Sequence, residues 1–237
     1  MKFIVFKDAD CVAQAAATTI AADARAAVAA RGRFSLAVSG GHTPWIMLRA
    51  LAKEDVPWEG LHIFQIDERV APAGDPDRNL THLQESLLQH APLRPEQIHA
   101  MPVEADDLEA AADRYALALS DVAGSPPVLD LAHLGLGPDG HAASLVPGDP
   151  VLDVTEKDVA ITRIYQGRRR MTLTYPAINR ARRVLWVVTG SEKVEMLRRL
   201  REGDESIPAG RVRCERALLL ADRAAAVQMA AEHKEGG

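Results

Sequence analysis

Val128-Leu129-Asp130-Leu131-Ala132-His133-Leu134 runs directly into Gly135-Leu136-Gly137-Pro138-Asp139-Gly140-His141. The first seven residues form a largely apolar run and read as a buried strand. The next seven place an aspartate and a histidine on a glycine-rich turn. Glycine permits φ > 0 and lets a ligand approach the backbone, and histidine is the side chain whose free pKa lies nearest neutrality. Taken alone, such a loop is equally well an ordinary tight connection. A second strand-to-glycine junction, Phe34-Ser35-Leu36-Ala37-Val38-Ser39-Gly40-Gly41-His42-Thr43-Pro44, changes the balance. Open α/β sheets hold their ligands where strands end in loops of this kind, so the two junctions suggest one composite site.

Working outward, Phe3 to Phe6 reads as a short strand and Val12 to Ala30 as a long alanine-rich helix stopped at Gly32. After strand Phe34 to Val38, a helix is expected from Pro44 to Lys53, with Thr43 as N-cap and Pro44 as its first residue. Leu61 to Ile66 is a further strand, followed by a charged loop from Asp67 to Arg78. Leu80, Leu83, Leu87 and Leu88 then mark a helix face. Leu108, Ala111, Tyr115, Leu119 and Val122 mark another, within roughly 106–122 and ended by Gly124-Ser125-Pro126-Pro127. Apolar runs at 159–164, 184–188 and 217–220 complete the pattern. Near-continuously apolar strands alternating with helices imply a mainly parallel sheet covered on both faces.

The chain of 237 residues, 47% of them hydrophobic, has ample material for a core, and a single domain over 1–237 is expected. A net charge of -5 argues against broad nucleic-acid binding, so any anion site must be locally basic. Cys11 and Cys214, the only cysteines, lack zinc or redox spacing and read as reduced thiols of a cytoplasmic protein. The opening apolar run, Phe3 to Phe6, is too short for a signal peptide or a membrane span. Of the eight histidines, those at 42, 62, 82, 90, 99, 133 and 233 show no metal-ligand pairing with one another or with His141, so no metal is expected.

In Ser39-Gly40-Gly41-His42-Thr43-Pro44 the glycines leave backbone N–H groups open, and the following helix points its positive dipole end into the same space, which suits phosphate. The string is neither a Walker loop nor a dinucleotide fingerprint. Asp67-Glu68-Arg69 follows strand 61–66 and should reach the same sheet edge, as a binding group or as a structural ion pair. A phosphate ester needs cations. Arg168-Arg169-Arg170 and Lys193, in Thr189-Gly190-Ser191-Glu192-Lys193, are the candidates, with one or two of the four expected as ligands.

Taken in order, Ser39 to Pro44, Asp67-Glu68-Arg69-Val70-Ala71-Pro72, Gly135 to Leu145, Met171 to Ala181 and Thr189 to Lys193 resemble the 6-phosphogluconolactonase family. The resemblance implies a three-layer α/β/α, Rossmann-like fold shared with glucosamine-6-phosphate deaminases. It also implies hydrolysis of 6-phospho-D-glucono-1,5-lactone in the pentose phosphate pathway, with no cofactor. Carried over by position, Ser39, Gly40, Gly41, Thr43, Asp67, Arg69, Gly137, Arg170 and Lys193 would hold phosphate or sugar, and Asp139 and His141 would serve the reacting end. The chain departs from the family at His42, Ala71, Ala143 and Val146, none of which removes a reactive group.

On this reading His141 takes a proton from the attacking water, Asp139 fixes its tautomer or helps order the water, and glycine-turn N–H groups or an arginine face the oxyanion. The partner is a small sugar phosphate lactone, with neither nucleic acid nor membrane, and the protein a monomer or weak homo-oligomer. Two rivals stand beside it. A glucosamine-6-phosphate deaminase/isomerase would resemble the chain at Asp67-Glu68, but usually carries an Asn-Glu-Pro acid where this chain has Ala142-Ala143-Ser144-Leu145-Val146-Pro147. A non-catalytic sugar-phosphate sensor would be expected to add a DNA-binding segment, and no basic helix-turn-helix stretch is evident.

Overall fold

Side-chain alternation along β2 (Phe34–Val38) sets out the layers: Phe34, Leu36 and Val38 join one apolar cluster, and Ala37 joins the other. In the computed structural model, which describes residues 1–227, this strand is buried on both faces, as the near-continuous apolar runs predict. His233 lies outside the described residues.

The main sheet has seven strands in the order β1 (Lys2–Phe6), β10 (Ala217–Asp222), β9 (Arg183–Val188), β6 (Leu131–Leu134), β2, β3 (Leu61–Gln65) and β5 (Ile98–His99). Every recorded pairing is parallel. One face is covered by α1 (Ala9–Arg31), α2 (His42–Leu51) and α3 (Asn79–Leu83), the other by α4 (Leu108–Ala123), α5 (Tyr175–Arg180) and α6 (Val194–Glu202). The result is the expected three-layer arrangement. Asp8 caps α1 by accepting from the Cys11 N–H at 2.9 Å, and Gly32, at φ 74°, ends it where the sequence places the stop. Its buried alanines let α1 lie close against the sheet and α2.

Between β2 and β6 the chain reverses its direction of travel across the sheet: β3 and β5 lie to one side, β9, β10 and β1 to the other. Loops leaving β2 and β6 therefore diverge and open a crevice at their C-terminal ends. That crevice is where Ser39 and Gly135 begin their turns.

Three expectations need correction. Asp67–Arg69 is not loop but a short strand, β4, which pairs antiparallel with β8 (Arg170–Leu173); β8 also pairs with β7 (Val159–Ile161). Ile66 links this second sheet to the first, its N–H donating to Val38 O at 2.9 Å and its carbonyl accepting from Leu173 N–H at 2.8 Å. Next, α2 begins at His42 with Gly41 in the capping position, so Thr43 lies inside the first turn and caps nothing. Finally, the Leu80–Leu88 face belongs to a single α-turn that widens into a π-turn at 84–88.

Charged residues can build β4 because Glu68, fully buried, is saturated with donors. Its carboxylate accepts from the N–H groups of Arg69, Asn79 and Leu80 and from Gln65 Nε2, each at 2.8 Å, while Arg78 Nε stands 3.2 Å away. Arg78, also buried, donates to Ala71 O at 2.9 Å. Breaking a buried pair on one side leaves a charge without compensation, which costs about 3–5 kcal/mol. Glu68→Ala is therefore expected to lower unfolding stability by about that amount in urea titration, and Glu68→Gln by less; a loss under about 1 kcal/mol for the alanine variant would refute the hub.

Acid should destabilise the fold through His133. Its ring is fully buried in β6, and burial lowers its pKa to about 3 from 6.5. The native imidazole is neutral while the unfolded one takes a proton below about 6.5, so stability is lost as pH falls from about 6.5 towards 3, by up to ~1.4 kcal/mol per pH unit. Urea midpoints between pH 7 and 5 should fall more shallowly in His133→Gln; parallel slopes would remove His133 from this role.

Candidate active site

Four parallel strands end at one crevice, a cavity of about 300 Å³. β2 supplies Ser39, Gly40 and Gly41, and α2 then supplies His42 and Thr43. β3 leads through Ile66 to Asp67 and Arg69 on β4. β6 delivers the turn from Gly135 to His141, and β9 delivers Thr189, Glu192 and Lys193. Arg170 enters from β8. Every predicted site residue except Asp139 lines this cavity, and Asp139 touches it through His141.

The reacting end is the glycine turn. His141 Nδ1 stands 2.5 Å from Asp139 Oδ1, and the His141 backbone N–H donates to the same oxygen at 3.2 Å. That side-chain hydrogen bond holds the Asp139 carboxyl well below the usual carboxylate range, although partial burial pushes the other way. An ionised carboxylate only accepts, so Nδ1 carries the hydrogen and Nε2 is the basic nitrogen. The imidazole lies flat on Gly137, where an added Cβ would sit 2.1 Å from Nδ1. Gly137 is thus needed for contact with the ring. Gly140, at φ 83°, packs against Ile207. The turn consumes its own donors: Gly137 N–H binds His141 O at 2.8 Å and Gly140 N–H binds Gly137 O at 3.0 Å. Those two amides, candidates to face an oxyanion, are already engaged.

The opposite wall is cationic. Arg170 is 5% exposed, its Nε has no hydrogen-bond partner, and desolvation followed by the neighbouring Arg69 charge lowers its pKa. Arg69 also carries a buried, unpartnered Nε, while its Nη1 donates to Asp77 O. Two guanidiniums facing one cavity without a carboxylate ion pair favour an anionic occupant. Lys193 adds a third cation, its Nζ 3.8 Å from Glu192 Oε1. Arg168 is instead tied to Asp75 and Asp77, each at 3.0 Å, and Arg169 turns towards Glu109, so of the three consecutive arginines Arg170 alone reaches the cavity.

The glycine-rich wall is preorganised. Ser39 Oγ donates to His133 O at 3.0 Å, and Thr43 Oγ1 meets Thr189 Oγ1 at 2.7 Å, joining α2 to the β9 loop. An added Cβ on Gly40 would lie 2.0 Å from Asn79 Oδ1, so only glycine fits there. Asn79 donates to Asp67 O at 2.9 Å, and Asp67 Oδ2 accepts from Ser144 Oγ at 2.6 Å. Asp67 is 4% exposed and held from two sides. Ala143 lines the cavity in the left-handed region at φ 52°.

Several contributors were not among the predicted site residues. Asn79, Thr189 and Glu192 line the cavity, and Ser144 anchors Asp67. Tyr165 OH donates to Asp139 Oδ2 at 2.9 Å and its ring stands edge-on to His141. Only its position after the apolar run 159–164 hinted at a strand end. Among the described residues, no group of three or more His, Cys, Asp or Glu is arranged to hold a metal ion, and no helix is long and apolar enough to cross a membrane.

Comparison with known proteins identifies the family of the chain. Residues 7–220 match the family described as glucosamine-6-phosphate isomerases/6-phosphogluconolactonase. A 6-phosphogluconolactonase of Mycobacterium tuberculosis is 37% identical over 239 residues, covering 95% of this chain and 97% of that protein. The crystal structure of 6-phosphogluconolactonase from Thermotoga maritima superposes with a TM-score of 0.83 at 25% identity, over 93% of this chain and 98% of that one. A monomeric glucosamine-6-phosphate deaminase shares the fold, with a TM-score of 0.83 at 23% identity over 96% of this chain and 99% of that one. With a full-length relative at that identity and a family match over residues 7–220, the chain belongs to the 6-phosphogluconolactonase family.

Proposed function

We propose that the protein hydrolyses 6-phospho-D-glucono-1,5-lactone to 6-phospho-D-gluconate in the oxidative pentose phosphate pathway, with His141 as general base. The observation that carries this reading is the Asp139–His141 pair, 2.5 Å apart, set in the same cavity as three cations and a glycine-lined helix start. A phosphorylated lactone has one dianionic end and one electrophilic carbonyl, and the cavity offers a matching pole for each.

The phosphate lies at the start of α2, among Ser39, Gly40, Gly41 and Thr43, where the helix dipole favours an anion, and Lys193 and Arg69 supply charge. At the other end, a water molecule gives a proton to His141 Nε2 as its oxygen bonds to the lactone carbonyl carbon. Asp139 keeps the hydrogen on Nδ1 and stabilises the imidazolium. Arg170 faces the developing oxyanion, a role favoured by the engagement of the Gly137 and Gly140 amides elsewhere. When the bond from the carbonyl carbon to the ring oxygen breaks, the imidazolium returns its proton to that oxygen. The product leaves as a carboxylate and a released proton. No group on this path requires a cofactor. The absence of a carboxylate from Ala142 to Pro147 supports lactone over amino sugar as substrate.

NADP-coupled measurement of 6-phosphogluconate formed from fresh lactone, corrected for spontaneous opening, should show turnover; ammonia release from glucosamine 6-phosphate with no lactone turnover would reverse the assignment. In the same assay His141→Ala should lose about 100- to 10,000-fold in kcat with little change in KM. Wild-type rates in that variant would eliminate the mechanism. Lys193→Ala should mainly raise KM, by about tenfold or more, consistent with loss of one charge-assisted contact. An unchanged KM would place the phosphate elsewhere.

A further inference from the structure

The hairpin that joins β7 to β8 ends in Tyr165-Gln166-Gly167-Arg168, and its tip is more strained than a connection requires. Tyr165 and Arg168 exchange backbone hydrogen bonds at 2.9 and 3.3 Å, so the loop between them has two residues. Both take positive φ, 51° at Gln166 and 82° at Gly167, as in a type I′ turn. Asparagine, aspartate or glycine relieves the first of these positions, whereas a glutamine there is held against its preference. Such strain persists where surrounding contacts over-determine it. Here the contacts lead into the cavity: Gln166 Oε1 accepts from Arg170 Nη2 at 3.1 Å. Arg168 ties the base of the turn to Asp75 and Asp77.

Tyr165 makes three contacts at once. Its hydroxyl donates to Asp139 Oδ2 at 2.9 Å, the oxygen that His141 leaves free. Its ring edge meets the imidazole at a centroid distance of 5.6 Å and an interplanar angle of 70°. Its face carries the Arg170 guanidinium, 4.9 Å from the ring centroid. One side chain therefore touches both members of the proposed base and the cation proposed to face the oxyanion.

We infer that Tyr165 is a positioning residue for the hydrolysis, fixing the Asp139–His141 pair through its hydroxyl and Arg170 through its ring. The inference rests on the proposed lactonase reading. Asp139 has two oxygens, each with one side-chain donor, so the carboxylate cannot rotate without breaking a bond. The phenol also withdraws part of the carboxylate charge from the imidazole. Without the hydroxyl, Asp139 stabilises the protonated ring more strongly, and the proton is held to higher pH. The other charged or titratable groups facing this pair or its cavity are Arg170, Arg69, Asp67, Lys193, Glu192 and His42, all unchanged by that edit.

Tyr165→Phe keeps the ring and removes only the hydroxyl. We expect kcat to fall about 5- to 50-fold with KM within about twofold, and the ascending limb of kcat/KM against pH to move to higher pH. NMR titration of the His141 ring in substrate-free protein should show the same upward shift. Tyr165→Leu, which also removes the face under Arg170, should lose further kcat. A Tyr165→Phe variant whose kcat, pH limb and His141 titration superpose on wild type overturns the inference, as does a loss confined to KM. Failure of the wild type to open the lactone would instead defeat the lactonase reading, and the substrate-free titration would still report whether Tyr165 is coupled to the pair.

Discussion

Everything at the site depends on the reversal of chain direction between β2 and β6. Parallel strands all present their C-terminal ends at one rim, and only where neighbouring connections diverge does that rim open into a crevice. Here the divergence separates the Ser39-Gly40-Gly41 turn from the Gly135-to-His141 turn. Residues remote in sequence thereby share a cavity, with a helix start on one side and an imidazole on the other. Neither turn has chemistry of its own without the other.

The second sheet adds what the parallel sheet cannot. β4 and β8 approach antiparallel and bring Asp67, Arg69 and Arg170 across the crevice. Their charge is accommodated by a division of labour within Asp67-Glu68-Arg69. Glu68 turns inward and is neutralised by Arg78 and by four hydrogen-bond donors, leaving Arg69 and Arg170 without carboxylate partners. Buried guanidiniums with unmade hydrogen bonds are costly in the free protein, and an anionic ligand recovers that cost. Stability held in Glu68 thus supports binding at Arg69 and Arg170.

The central strands of the parallel sheet were legible because they are apolar on both faces, and the site turns because glycine beside Asp-x-His or Ser-Gly-Gly is conspicuous in a chain. The two-residue edge strand β5 left no such mark. What stayed hidden has a common physical cause. β4 is three residues long and carries three charges, so no hydrophobic period marks it; its existence depends on Glu68 meeting Arg78 and on β8, over a hundred positions away. The two-sidedness of Arg168-Arg169-Arg170 follows from β8 beginning at Arg170, a boundary set by pairing and not by composition. Thr43 has the identity of a cap but lies two residues past the capping position, inside the first turn, where its hydroxyl meets Thr189. Tyr165 reaches Asp139 from 26 positions away, a contact without a sequence period.

The central claim is that one cavity holds the phosphate at the start of α2 and the reacting carbon beside His141. A crystal structure with bound 6-phosphogluconate tests it most directly. The account predicts the phosphate among Gly40, Gly41, Thr43 and Lys193, with the product carboxylate within hydrogen-bond reach of His141 Nε2 and Arg170. A phosphate seated elsewhere, or a carboxylate pointing away from the imidazole, would contradict it.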